Sequence, residues 1–528
     1  MQERQAVERQ LIAHAAGTTR VGVVFVHGIG QQPESSTVRE FGGPLLRWLQ
    51  EWHKQREIDF CVTSSDLTYG ELAERPARFT LDLTAAKGHP AQTWILAEAW
   101  WAARLSAPSL DEMTWWGLKS AVVRGLHLAE VVVTSFRRLP QSPKAIIEIV
   151  SSLLLFVGYV AAAILSIPLI LGLFVLAQIP GPVEQAVMGL RSFLLDQIGD
   201  FYTYMWDDIQ AVHIRGSVAA AVHFLVEKRD CHRIAVVAHS QGAVVAYDAL
   251  SSGAVPPADR ARVTTFVTFG SALNNAWDRR LVPERTCRLR EPLPAGVRWI
   301  NVWSAYDPVA GGRLRTPAHI RGPDEDLEVT NWMNVILDHG GYFTNREEFL
   351  SRLAQELESP GDRASSRFFP EAGENAWRDG RRDRVLTLVG WRVVAILGFA
   401  AAAVARILTA DRLRADGEAV WGWLMTLPIV GGLVTFADQH AAWLAWSERL
   451  GARLIGIAAW LLVLGAAYVG VSWLAFARWH DNAGERSAGV GPPPASQRAI
   501  IVASSIAMFF AIAVGLAVMV QAPALRRP

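Results

Sequence analysis

The chain has 528 residues and a formal net charge of +1 at neutral pH, with no Lys/Arg-rich arm, so no bulk field draws it to nucleic acid. Its hydrophobic content is 51%, its 19% charged fraction falls short of the roughly 25% of soluble chains, and its 21 tryptophans imply that part of the surface meets lipid. The three cysteines, Cys61, Cys231 and Cys287, are odd in number and far apart, which excludes a disulfide framework and a CxxC metal or redox site, and the charged start MQERQAVERQ lacks the apolar run of a cleaved signal peptide.

The first strong element is the apolar run 21–26 (VGVVFV), which reads as a strand ending at His27-Gly28-Ile29-Gly30. A glycine-rich turn lets the main chain come close to a reacting group, and acyl transfer needs pre-aimed backbone N–H donors for its oxyanion. The N–H of Ile29 is one candidate donor. Taken alone, the same turn is a plain strand end with a packed histidine. Residues 59–64 and 93–99 are weaker strand candidates, and the pairs Trp100-Trp101 and Trp115-Trp116 read as packing or interface aromatics.

Residues 151–177 carry no charge and, as one helix, span about 40 Å at 1.5 Å per residue. If the strands at 21–26 and 233–238 share a sheet, the chain must leave and return on one side of any membrane, so the number of crossings between them is even. Residues 182–199 are a costly return because they hold Glu184, Arg191 and Asp196. Pro168 offers a break. The expectation for 146–199 is therefore a membrane-associated insertion, as a hairpin, a re-entrant pair or an in-plane element.

Helical periodicity follows over 201–228. Residues 233–238, 263–269 and 297–303 are continuous Val/Ile-rich runs rather than alternating ones, the pattern of a mostly parallel sheet covered on both faces. After the first of these comes Ala238-His239-Ser240-Gln241-Gly242, then the helix-forming run Ala243–Leu250. A serine on a sharp strand-to-helix turn needs small neighbours two residues away on each side. The turn exposes its hydroxyl, and the following helix N-terminus favours negative charge beside it. Ala238 stands where glycine is usual and is still small. The backbone N–H of Gln241 is the second candidate oxyanion donor. His239 reads as packing or support for the site.

Asp307 lies just past the strand 297–303, in Ser304-Ala305-Tyr306-Asp307-Pro308, and His339 sits in the glycine-containing loop Asp338-His339-Gly340-Gly341-Tyr342. In this scheme His339 takes the proton of Ser240 and Asp307 orients the imidazole. Asp278 and Asp324 compete for the acid, and His319 for the base. The 13 histidines include no HExxH spacing, and there is no phosphate-loop or dinucleotide fingerprint, so neither a metal nor a cofactor is expected.

Beyond residue 356 the character changes. Residues 357–384 are polar, contain Gly and Pro, and gather Arg378, Arg381, Arg382 and Arg384, the composition of a linker. Residues 385–528 hold four apolar stretches, about 386–405, 419–437, 454–477 and 499–520, each near the roughly 20 residues that cross a bilayer. The arginine cluster before the first of them points to a cytoplasmic side for the preceding domain.

The segments VVFVHGIGQQ, VVAHSQGA, WSAYDPV and DHGGYF resemble the bacterial lipase/esterase branch of the α/β-hydrolase superfamily and the PGAP1-like serine-esterase group, over about residues 20–355. The resemblance implies an α/β-hydrolase fold with Ser240, Asp307 and His339 as the triad, and Ile29 and Gln241 as oxyanion donors supported by His27, Gly28, Gly30, Ala238, His239 and Gly242. The expected organisation is a hydrolase domain from 1–145 and 200–356, the insertion 146–199, the linker 357–384 and a C-terminal transmembrane helical bundle. The expected partners are the lipid bilayer and a small-molecule or lipid ester. A thioesterase or amidase would use the same residues. A non-catalytic scaffold or binding module would keep only the fold. A transporter would need paired charges in the spans, which they lack.

Overall fold

The computed structural model describes residues 18–102 and 200–369, short gaps excepted, with a few isolated positions between these blocks. The insertion 146–199, the C-terminal region 385–528 and Gly30 lie outside the described residues. The chain divides into two units, and the elements below belong to the first, residues 1–124 and 167–378.

In chain order these elements are β1 (Thr19–Val26), α1 (Gly43–Gln55), β2 (Phe60–Asp66), β3 (Arg78–Leu83), β4 (Gln92–Ala99), α2 (Asp208–Glu227), β5 (Arg233–His239), α3 (Gln241–Ser251), α4 (Pro257–Arg260), β6 (Val263–Phe269), α5 (Leu273–Trp277), β7 (Arg298–Ser304), β8 (Glu325–Val329) and α6 (Ser351–Glu358). The strands form one eight-stranded sheet in the order β2-β3-β4-β1-β5-β6-β7-β8. Pairing is parallel from β4 through β8, and β3 runs against both neighbours. The protein is thus α/β with a mostly parallel mixed sheet. β1 and β5 are hydrogen-bonded neighbours, with Val26 opposite Ala238.

Both faces of the sheet are covered, which is why the central strands read as unbroken apolar runs. On one face Val24, Val26, Val236 and Ala238 pack with Ile214, Val218 and Val222 of α2 and with Val244 and Ala246 of α3. On the other, Val23, Phe25, Ala235 and Val237 meet Leu45, Trp48 and Leu49 of α1 and Leu353 and Leu357 of α6. The spacing of Leu45, Trp48, Leu49 and Trp52 builds one helical stripe, and burying each such side chain contributes about 1.5–3 kcal/mol.

The helix expected over 201–228 is interrupted. The chain is helical through Trp206, leaves the helix at Asp207 and starts again as α2. Asp207 has extended backbone and accepts from Ile209 N and Gln210 N, so it caps α2 rather than continuing a single helix. Among the described residues α2 is long and apolar enough to cross a membrane, but Ala211, Ile214, Val218, Val222 and Leu225 are spent on the sheet core.

The expected linker starts later than 357. Leu357 ends α6 in the core, and Phe368 is fully buried against Trp48, Trp52 and Trp94. Arg367 forms a buried ion pair with Glu358 and donates to the carbonyls of Thr84 and Pro90. An aromatic anchor and a paired arginine hold a stretch whose polar composition reads as loose.

Candidate active site

Ser240 lies directly beyond the carboxyl end of β5, in the middle of the sheet, and its backbone is at φ 55°, ψ −126°. A positive φ in a non-glycine residue is strained, and such strain persists only where the surroundings fix it. Here the Ser240 N–H donates to Phe269 O at 3.2 Å, and Ser240 O accepts from Ala243 N and Ala272 N. The turn works because of its neighbours. A Cβ on Gly242 would stand 2.2 Å from His27 O, so α3 can lie against the end of β1 only if that residue is glycine. Ala238 is fully buried inside β5. Helix α3 then directs its amino end at the serine.

Three side chains expected from the sequence meet here. His339 Nε2 is 2.9 Å from Ser240 Oγ. His339 Nδ1 is 3.0 Å from Asp307 Oδ1 and 3.1 Å from Oδ2. Ser240 is 2% exposed, and the Asp307 side chain is 0% exposed against 22% for His339, so the acid is sealed while the imidazole edge reaches solvent. With Nδ1 donating to the carboxylate, Nε2 is left to accept the serine proton. Burial opposes ionisation of Asp307, but His339, the Tyr342 hydroxyl and the Val309 N–H outweigh it and hold the carboxyl down at about 2.

The competing residues lie elsewhere. Asp278 is paired with Arg280. Asp324 accepts from Trp299 N and pairs with Arg321. His319 is exposed on its loop.

The turn after β1 lies against the serine. A Cβ on Gly28 would meet Ser240 Cβ at 2.7 Å and Oγ at 3.2 Å. His27 is buried, stacks on Trp101, donates from Nδ1 to Gly28 O at 2.8 Å and accepts from Trp101 N at 3.2 Å. Burial pushes its imidazole down to about 4, the value of a neutral ring with one donor and one acceptor nitrogen. The Gly28–Ile29 peptide is trans, so with its carbonyl turned to His27 its N–H points the other way. Gln241 is the first residue of α3, and its N–H belongs to the first turn, which has no intrahelical acceptor. Its side chain donates from Nε2 to Asp200 O at 2.9 Å.

No known protein family, curated protein or solved structure matches this chain. The site therefore rests on its own geometry.

His239 has the supporting place expected of it. Its ring stacks between Phe269 and His339, and its Nε2 donates to His339 O at 3.0 Å, which anchors the main chain of the histidine loop. Burial and the neighbouring His339 push its imidazole down to about 3. Two residues had no expected role. Gly270, just after β6, has φ 54°, and a Cβ there would come within 2.9 Å of Asp307 Oδ2 and 3.1 Å of His339 Nδ1. Tyr342 donates from its hydroxyl to Asp307 Oδ2 at 2.7 Å. The signal for Gly270 was a Gly ending the apolar run 263–269, and for Tyr342 the DHGGY segment itself. Neither signal carries a contact partner. Trp101, read as a packing or interface aromatic, packs on the histidine of the β1 turn. Among the described residues no His/Cys/Asp/Glu group could hold a metal ion.

Proposed function

We propose that this protein is a membrane-anchored serine hydrolase on an α/β-hydrolase fold, cleaving an acyl ester through an acyl-enzyme. One observation carries the reading: a serine at a strained strand-to-helix turn has His339 Nε2 at 2.9 Å, and that imidazole has Asp307 Oδ1 at 3.0 Å on its other nitrogen. Ser240 Oγ attacks the ester carbonyl as its proton passes to His339 Nε2. The N–H groups of Ile29 and Gln241 receive the oxyanion. His339 then protonates the leaving alkoxide, and water, deprotonated by the same nitrogen, releases the acid and regenerates Ser240. Asp307 stays ionised and stabilises the imidazolium.

A lipid-like ester is favoured by where the chain leaves and re-enters. Trp101, at the departure, holds His27, and Asp200, at the return, accepts from Gln241. The largely apolar stretch between them in sequence thus begins against the histidine of the β1 turn and ends against the Gln241 side chain. If that stretch enters a bilayer, the pairing of β1 with β5 requires both of its ends on one side, and the arginine cluster at 378–384 favours the cytoplasmic side.

The test is labelling of the detergent-solubilised full chain by a fluorophosphonate, with Ser240→Ala beside it. Labelling of the wild type that vanishes in the variant is the expected result. A folded wild type that does not label sinks the proposal. Hydrolysis of matched oxygen-ester, thioester and amide substrates then separates an esterase from a thioesterase or amidase.

A further inference from the structure

The catalytic acid is held from two sides, by its own loop and by the histidine loop. Asp307 Oδ1 accepts from Val309 N at 2.7 Å and Ala310 N at 3.2 Å, both close in sequence. Oδ2 has no such main-chain donor and takes the Tyr342 hydroxyl at 2.7 Å, besides its longer approach to His339. Tyr342 is three residues beyond His339 in the same pair of tight helical turns, Asp338–Gly340 and Tyr342–Thr344.

The direction of that hydrogen bond follows from its other half. Ser304 N donates to the Tyr342 oxygen at 3.0 Å, so the single hydroxyl proton is committed to Asp307. The ring has no freedom to withdraw it. Tyr342 is 1% exposed and is edged by Phe269, Phe349 and His239, and Gly270 leaves no room on its remaining side. The other ionisable groups against it are His339, His239 and Asp338. Burial and the adjacent Asp307 charge raise its own hydroxyl well above the ordinary value, so it remains a donor.

We propose that Tyr342 is a positioning residue for the acid–base pair: it fixes the Asp307 carboxylate and draws off part of its charge, and thereby sets how readily His339 holds a proton. This rests on the proposed serine-hydrolase reading of the same site. A hydroxyl that shares the carboxylate charge weakens the pull on an imidazolium. Its removal therefore favours the protonated imidazole, in which Nε2 cannot accept the serine proton.

The experiment is the rate of fluorophosphonate labelling of Ser240 against pH, in the full solubilised chain, for wild type, Tyr342→Phe and Tyr247→Phe. Tyr247 is an equally buried tyrosine whose hydroxyl donates to Glu291 O, away from the serine, so its loss reports the cost of deleting a buried hydroxyl as such. In Tyr342→Phe the midpoint of the rise in rate moves to higher pH by about half a unit to one unit, part of the strength of one hydrogen bond to a charged group. In Tyr247→Phe the melting temperature falls and the midpoint stays. Site-specific 3-fluorotyrosine at 342, a stronger donor of nearly the same shape, moves the midpoint the opposite way and keeps the test open if the Phe variant does not fold. An unmoved midpoint in a labelling Tyr342→Phe or fluorotyrosine protein overturns this role and leaves the hydrolase reading intact. No labelling of the wild type overturns both.

Discussion

Charge is buried at both ends of the sheet. At the amino ends of the strands, Arg298 of β7 pairs with Glu325 of β8 and Glu356 of α6, and Arg352 joins the same acids. Beside them Arg367 pairs with Glu358, whose carbonyl also accepts from Arg233 at the start of β5 and Gln92 at the start of β4. At the carboxyl ends, Asp307 faces His339, and the chain of hydrogen bonds runs on to Ser240. The first cluster closes on itself, because every cation there meets a carboxylate or a carbonyl. The second is open at one end, where a hydroxyl faces the second ring nitrogen and the imidazole edge reaches solvent. Burial of charge is common to both, so burial alone does not mark the end proposed to be reactive. The open, proton-bearing terminus does.

That contrast can be broken by substitution. The largest effect is expected at the closed end, where Arg367→Met leaves Glu358 buried without its partner. A loss of about 3–5 kcal/mol in chemical denaturation is expected, with the labelling rate per folded molecule unchanged. A changed pH profile for labelling in that variant would show that the two ends are coupled. At the open end the signs reverse. Gly270→Ala puts a methyl within 2.9 Å of Asp307 Oδ2 and 3.1 Å of His339 Nδ1 at a backbone φ of 54°. Labelling should slow about a hundredfold, or roughly 2.7 kcal/mol in the barrier, while stability falls by only about 1–2 kcal/mol. A normal rate would mean the Asp307–His339 geometry tolerates displacement.

Acid provides the third test, because buried histidines lie at the carboxyl end of the sheet. His27 and His239 have folded values of about 4 and about 3, below the ordinary 6.5. The folded protein therefore binds fewer protons than the unfolded chain once the pH drops below 6.5. Stability then declines until the folded values are reached. Asp307 acts in a lower window: its folded value of about 2 lies below the ordinary 3.8, so its contribution is present above that value and lost as the pH falls towards 2. At pH 4.5 the two histidines should each cost about 2–3 kcal/mol relative to pH 7, while Glu98, which burial raises to about 7, gains protons in the folded state over the same range and offsets about one of them, leaving a net loss of about 2–3 kcal/mol. Melting temperatures measured at the two pH values should differ accordingly, and equal temperatures would mean that these rings are hydrated.

Much of the sheet was legible beforehand, for a local reason. β1, β5, β6 and β7 are covered on both faces, so each reads as a largely apolar stretch without strict alternation. β8 was not, since Glu325, Asp326 and Glu328 give an edge strand whose place is decided by Arg298 and Asn301 on its neighbour. β3 does alternate, with Phe79, Leu81 and Leu83 buried in RFTLDL, yet six residues of alternation are a faint signal beside the longer runs. The polar stretch after 356 misled because composition reports solubility, and Phe368 and Arg367 act through single specific contacts.

By itself the sequence determined the parts that obey short-range rules: the central parallel strands, a serine between Ala238 and Gly242 at a strand-to-helix turn, and the chain order of serine, acid and histidine. Only the tertiary structure decided which aspartate meets His339, that Tyr342 and Gly270 flank Asp307, and that His239 holds the histidine loop. The physical reason is separation along the chain. Ser240 and His339 are 99 residues apart, and His339 and Asp307 are 32 apart, so their meeting depends on how β5, β6 and β7 stack side by side. Local periodicity carries no information about that stacking.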